Sequence, residues 1–399
     1  ISCNSTNPCP ESAPCCSQYG ICGTGNLCAN GCIIKNSYNL TSCLPMPRMG
    51  SFETQFDSLD KLQVSIDYLG NSSAVDWLYS GWVDIHDDAL LMEMPQYSGG
   101  SVVSSTKYLL YGKVSATIKS SHLQGVITSF ITYSDLEDEI DFEFVGYDTT
   151  QVQTNYYSQG ALDYTKGHNS STSDTMANWH TYTIDWQEDK IDWYIDGDKI
   201  RTLDKASTHN STDNTYAFPQ TPSRIQMSLW PGGNATSPIG TRAWAGGEID
   251  WDSKDIQDNG YYYAYLKNVT VEAYDLPSGI GRDTSGGNSS KFDTYVVNST
   301  HGTQSNIMIS NRETILGDED GTGFDRKLDK LQSSSASASS SASSSGSRSS
   351  SGSASTTASR SGASGSSTQS GARTTSTNTS SANGDFAQNS ASASGSSSN

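Results

Sequence analysis

The chain has 399 residues and a formal net charge of −19, with 24 Lys and Arg against 43 Asp and Glu. An acidic surface repels phosphate backbones and anionic lipid headgroups, which argues against nucleic-acid and charged-membrane partners and favours a neutral or cationic one. No apolar run approaches the roughly 20 residues that span a bilayer.

All eight cysteines fall between Cys3 and Cys43. Such density reads as a disulfide framework made in an oxidising compartment. A zinc site is disfavoured, because zinc sites prefer paired C-x2-C spacings with His and the segment has no His. Residues 1–43 are too few to bury a sizeable core and are expected to rely on their bridges. "LPMPRMG" (44–50) reads as a linker with two prolines. Asn-x-Ser/Thr acceptors at Asn4, Asn39, Asn71, Asn169, Asn210, Asn234, Asn268, Asn288, Asn298 and Asn378 suit a secreted glycoprotein.

From 51 to 275, Trp, Tyr and β-branched residues become frequent and short alternating runs are separated by turn signals. "WHTYTIDW" (179–186) and "KIDWYI" (190–195) are followed by Asp196-Gly197 and "DKIRTL", a strong hairpin signal. "RIQMSLW" (224–230) and "YYYAYLKNVTVEAY" (261–274) continue the pattern, and no stretch keeps a 3.6-residue apolar period. Many short strands in one block predict an all-β sandwich. Residues 276–332 are polar and Gly-rich, and either pad the sandwich or begin a stalk. Residues 333–399 are nearly all Ser, Ala, Gly and Thr, the composition of a disordered, O-glycosylated stalk. A chain that begins at Ile1 and stops at Asn399 after this run reads as a mature form. Its signal peptide would be gone, with a GPI anchor at or near Asn399 in place of a removed tail.

The chemistry concentrates in "DEIDFEF" (138–144). In a strand, side chains alternate between faces. Ile140, Phe142 and Phe144 then pack inward, while Glu139, Asp141 and Glu143 share the other face. Three like charges in a row bring a purely structural strand only repulsion. A retaining glycosidase needs two carboxyl groups about 5–5.5 Å apart. The α-carbons of residues i and i+4 lie roughly 13 Å apart in a strand, and two Glu side chains leaning together on a curved strand can close most of that gap. One terminal Glu would attack the anomeric carbon and the other protonate the leaving oxygen. Asp141, between them, would raise their proton affinity and orient the nucleophile.

In "RIQMSLW", Ile225, Met227 and Leu229 read as core. Arg224, Gln226, Ser228 and Trp230 share the other face, mixing hydrogen-bonding groups with one aromatic, as a sugar subsite requires. "PGG" turns the chain, and Thr241 and Trp244 follow. Asn155 and Tyr157 are further candidates for the cleft lining. Trp186, Trp193 and Trp251 read as core or rim. The six His residues show no ligand spacing, so no metal or cofactor is expected, and His180 reads as structural.

"DEIDFEF" resembles the signature of glycoside hydrolase family 16, a concanavalin-like β-jelly roll. "RIQMSLWPGG…GTRAWAGGEIDW" is similar to the fungal Crh cell-wall transglycosylases within it. The resemblance spans about 50–275. It implies that Glu139 is the nucleophile, Glu143 the acid/base and also a sugar contact, and Asp141 the assisting group. It places donor-sugar contacts on Gln226, Trp230 and Thr241, and implies a chitin donor and a β-glucan acceptor, hence crosslinking of a fungal wall at the cell surface; a monomer is expected. A secreted hydrolase is the close alternative. A cell-surface lectin is the alternative from another class, disfavoured because a lectin has no need of a nucleophile and acid pair. "CCSQYGICGTGNLC" (15–28) resembles hevein-type chitin-binding modules, which implies the pairs Cys3–Cys16, Cys9–Cys22, Cys15–Cys28 and Cys32–Cys43. The same pattern puts sugar contacts on Ser17 and Tyr19. Ile21 and Leu27 stand where two further aromatics are expected, which implies weak chitin affinity.

Overall fold

The computed structural model describes residues 1–287 and 289–324. The stalk at 333–399, the acceptors Asn288 and Asn378, and the anchor expected at Asn399 lie outside the described residues. The fold is the all-β sandwich that the alternating runs predict, built of two eight-stranded sheets. One sheet runs, in spatial order, His168–Ser171, Gln151–Tyr157, Glu139–Val145, Val126–Ser134, Ser223–Pro231, Ser101–Ser105, Trp77–Ser80 and Leu62–Val64. The second runs Asp198–Asp204, Lys190–Ile195, His180–Trp186, Gly112–Lys119, Tyr261–Ala273, Ala89–Pro95 and Trp82–His86, with Phe52–Gln55 also paired to Tyr261–Ala273.

The core between the sheets follows from strand alternation. Val114, Ala116 and Ile118 are buried along Gly112–Lys119 while the residues between them are half-buried. From the facing sheet come Phe130, Ile140, Phe142, Phe144, Ile225, Met227 and Leu229, all buried. Phe142 stacks on Phe130 at 6.0 Å, and Phe144 meets Tyr182 edge-on at 4.6 Å. Trp186 and Trp193 are fully buried core, and Trp251 lies at the rim against Tyr97 and Tyr262. Asp196 and Gly197 both take positive φ (53° and 90°), the geometry of a two-residue hairpin turn whose twist matches its strands. His180 bonds Asp196 at 2.6 Å and Ser173 at 2.9 Å, a structural place.

Two segments depart from expectation. Residues 44–50 do not behave as a linker. Met46 and Met49 are buried, and Met46–Pro47 pairs as a strand with Thr294–Val297. The polar region after 276 carries Gly281–Asp283, Thr294–Val297 and Ile307–Ser310, which complete a four-stranded sheet with Met46–Pro47. Its polar residues are spent internally: the buried Arg312 donates to Asp283 at 2.9 Å. The four disulfides Cys3–Cys16, Cys9–Cys22, Cys15–Cys28 and Cys32–Cys43 hold the cysteine module. The module does not stand apart, because Cys15, Cys28, Cys32, Ile34 and Cys43 join the main core. Among the described residues, no helix is long and apolar enough to cross a membrane.

Candidate active site

Glu139–Val145 lies between Val126–Ser134 and Gln151–Tyr157. Its core side is apolar, and the register fixes what surrounds each acid on the other side. Glu139 lies between Tyr133 and Tyr157, Asp141 between Ile131 and Asn155, and Glu143 between Ser129 and Gln153. Asp141 and Glu143 are 1% and 9% exposed. From the core, Trp193 Nε1 donates to the Asp141 carbonyl at 3.2 Å, which ties the middle of this strand to the second sheet. Asp141 Oδ1 has no hydrogen-bond partner among the described residues, a cost that folded proteins accept mainly at functional sites.

Burial pushes all three carboxyls up. Glu139 rises to about 8, with the Glu143 charge as the next cause and a hydrogen bond from Asp141 acting the other way. Asp141 stands well above its ordinary value through burial, then through the Glu139 charge and hydrogen bond. Glu143 stands well above its own through burial and the Asp141 charge. The Asp141–Glu139 hydrogen bond ties the two carboxyls together, and burial pushes both towards the protonated form. Glu143 is thus held towards the protonated form that a general acid needs, while Glu139 is hydrogen-bonded to Asp141.

This has a consequence for stability. Groups whose pKa rises on folding bind protons more tightly in the folded chain than in the unfolded one, where carboxyls titrate at about 4. Their contribution is fully present below that pH and is lost as pH rises towards about 8. Glu139→Gln is therefore expected to melt above wild type at pH 8, with the difference closing at pH 4. A difference that does not change with pH in thermal melts would refute this account.

The neighbouring strand Ser223–Pro231 carries the second half of the cleft. In register with Val126–Ser134, it sets Gln226 opposite Ile131, Ser228 opposite Ser129 and Trp230 opposite Ile127, continuing the rows of Asp141, Glu143 and Val145. Trp230 does not belong to the main core. It forms a separate apolar cluster with Ile127, Val145 and Ala245, against which Trp244 packs. The two indoles stack at 6.0 Å; Trp230 donates to Ser129 at 3.2 Å and Trp244 to Gln153 at 2.7 Å. Thr241 is buried on the same short helix as Trp244, Ile239–Trp244. An aromatic pair held by hydrogen bonds beside a row of carboxyls is suited to stacking on a sugar ring.

The glycosyl hydrolases family 16 model matches residues 71–253, which contain all of these groups. The chain is 51% identical over 340 residues to the Crh-like protein UTR2 of Candida albicans, covering 84% of this chain and 72% of that protein. It is 46% identical over 338 residues to Crh-like protein 2 of Aspergillus fumigatus, covering 84% and 74%. The chain belongs to the Crh-like proteins of glycosyl hydrolases family 16. Among solved structures it is similar to the Crh5 transglycosylase in complex with NAG, with a TM-score of 0.54 and 28% identity over 67% of this chain and 97% of that one.

In this Crh-like protein four sequence-predicted residues are engaged by the protein itself. Arg224 is not available to a sugar. Its guanidinium lies over Tyr108 and donates to Gln18 at 2.6 Å and to Asn30, so residues of the cysteine module already occupy it. Ser17 is buried, and its hydroxyl accepts from the backbone N–H groups of Tyr19 (3.3 Å) and Ile21 (3.2 Å). Tyr19 hydrogen-bonds Gln18 and lies near Arg224 in a crevice between module and sandwich. The module thus turns the edge that carries Ser17 and Tyr19 towards the sandwich. Asn155 sits beside Asp141 but donates to the Tyr157 hydroxyl at 2.8 Å. Gln153, Ser129 and Gln18 were not singled out from the sequence; Gln153 alone carried a local signal, since it shares the two-residue period of Asn155 and Tyr157.

Asp138, the first acid of "DEIDFEF", does different work. Fully buried, it accepts from Gln159 N (2.9 Å), Gln220 N (2.8 Å) and Thr221 Oγ1 (2.7 Å). It pins the entry of the Glu139–Val145 strand to two loops. In Asp138→Asn an NH2 group would face at least one of these fixed N–H donors. Denaturant titration is expected to show a loss of about 1–3 kcal/mol; no loss would show the loops to be held by other contacts.

Proposed function

We propose that this Crh-like protein is a retaining transglycosylase that cuts chitin-like β-1,4 chains and passes the fragment to a β-glucan acceptor, crosslinking a fungal cell wall. The observation that carries the reading is the row Glu139–Asp141–Glu143 on one strand face, with Asp141 and Glu143 buried and Glu139 half-buried and hydrogen-bonded to Asp141. The Glu139 carboxylate attacks the anomeric carbon while Glu143 gives its proton to the departing glycosidic oxygen, leaving a glycosyl ester on Glu139. Glu143, now ionised, takes the proton of an acceptor hydroxyl, whose oxygen attacks the same carbon and frees Glu139. Asp141 holds Glu139 in line through their hydrogen bond. Trp230, Trp244, Gln226 and Thr241 bind the donor. The similar Crh5 structure is of a transglycosylase bound to NAG, which favours an N-acetylated donor. Four disulfides suit a secreted protein acting at the cell surface.

The test is incubation of chito-oligosaccharides with a fluorescent laminari-oligosaccharide. A larger labelled product supports transfer. Shortened donor without labelled product means a hydrolase, and no change in either overturns the enzymatic reading on these substrates.

A further inference from the structure

The cysteine module meets the sandwich at the Glu139 end of the carboxyl row. Tyr133, beside Glu139, packs into the module's own apolar cluster of Cys3, Cys9, Cys16 and Ile33. Ile34 N donates to the Asp135 carbonyl at 3.0 Å, and Lys35 pairs with Glu137 and donates to the Gln159 carbonyl at 2.8 Å. On its far side the module is strapped by the chain after 316. Gly25 N donates to the Gly321 carbonyl, Gly323 N to that of Ser42 and Phe324 N to that of Thr41, each at 2.7 Å. Contacts on both sides leave the module no freedom to sample substrate on a tether.

At the centre of this contact stands Gln18. Its Oε1 accepts from Arg224 Nη2 at 2.6 Å and from Gln226 Nε2 at 3.0 Å. Gln226 is 3% exposed and lies in the row of Asp141. A carboxamide is nearly symmetric in shape, and its orientation is decided by its partners. With one N–H of its NH2 group given to Gln18, the Gln226 amide cannot flip, and its oxygen is held on the edge away from Gln18. The fit is tight: Gly31 has φ +64°, and a β-carbon there would collide with Arg224 Nη2 and Gln18 Oε1.

We infer that the module is a fixed wall of the cleft and that Gln18 is a positioning residue: it orients Gln226 so that the Gln226 oxygen accepts from an O–H or N–H group of the donor sugar. This rests on the transglycosylase reading for its substrate, but not for its geometry. Towards Arg224 and Gln226 Gln18 acts through its oxygen, and its other partner, the Tyr19 hydroxyl, can turn to donate, so a carboxylate can replace it whereas an apolar isostere cannot. Gln18→Leu is expected to raise KM for the chito-oligosaccharide donor about tenfold, the worth of one well-placed hydrogen bond, with kcat little changed. Gln18→Glu is expected to restore the wild-type KM. Equal KM in wild type and Gln18→Leu, or no rescue by Gln18→Glu, overturns the assignment.

A second readout does not depend on turnover. By NMR, the side-chain NH2 of Gln226 is expected to be protected from exchange in wild type and Gln18→Glu, and to lose that protection in Gln18→Leu. Protection unchanged in Gln18→Leu refutes the positioning role whatever the substrate. A wild type that turns over no donor while the protection pattern follows Gln18 refutes the function and leaves the geometry standing.

Discussion

Glu139→Ala is expected to lower transfer at least about 10³-fold, and the residual chemistry should change stereochemical course. On the proposed mechanism Glu139 inverts the anomeric carbon and the acceptor inverts it again, so the β configuration survives. With Glu139 shortened to Ala, a small anion such as azide can enter the space and attack directly. One inversion then gives an α-glycosyl azide. Glu143→Ala is expected to behave differently. Its donors with good leaving groups still form the ester on Glu139, and azide then attacks that ester without general-base help, giving the β-glycosyl azide. Proton NMR of the products separates the two. An α product from Glu143→Ala and a β product from Glu139→Ala would exchange the roles of the two residues. Activity unaffected by either would remove the carboxyl row from catalysis. Glu139→Gln keeps the shape but cannot be rescued in this way, which separates loss of the nucleophile from loss of the fold.

The acidic strand was legible because its signal is local. A two-residue period placed Ile140, Phe142 and Phe144 in the core and left the three acids together on the other face, and strand pairing kept that arrangement. The same period correctly separated Ile225, Met227 and Leu229 from Gln226 and Trp230. Arg224 shows where periodicity stops. It lies on the predicted face, but two module residues about 200 positions away in the chain take its guanidinium. No local pattern carries a contact of that span. The two prolines of 44–50 suggested an open linker for a similar reason, since the partner strand Thr294–Val297 comes some 250 residues later. The four acids of "DEIDFEF" look alike in the sequence. Only the fold shows that Asp138 bonds three donors inside the protein while Asp141 keeps one oxygen without a partner.

Removal of residues 1–43 is expected to unfold or aggregate the rest of the chain, although those residues contain neither Glu of the catalytic pair. A module joined by a linker would be dispensable. Here it supplies Cys15, Cys28, Cys32, Ile34 and Cys43 to the main core, so its loss uncovers apolar surface that the sandwich cannot close over. The loss also strips buried groups of their partners. Arg224 would lose both Gln18 and Asn30, Glu137 would lose Lys35, and the chain from 319 to 324 would lose the carbonyls and N–H groups that hold it. A buried cation left without its acceptors is among the most destabilising changes a protein meets. The truncated chain should therefore either fail to accumulate in soluble form or melt about 10 °C or more below wild type. Secretion yield and thermal melts of the two chains, compared side by side, decide the matter. A truncated protein that is soluble and melts with wild type would mean that the module is an appendage, and the wall that Gln18 is inferred to form would fall with it.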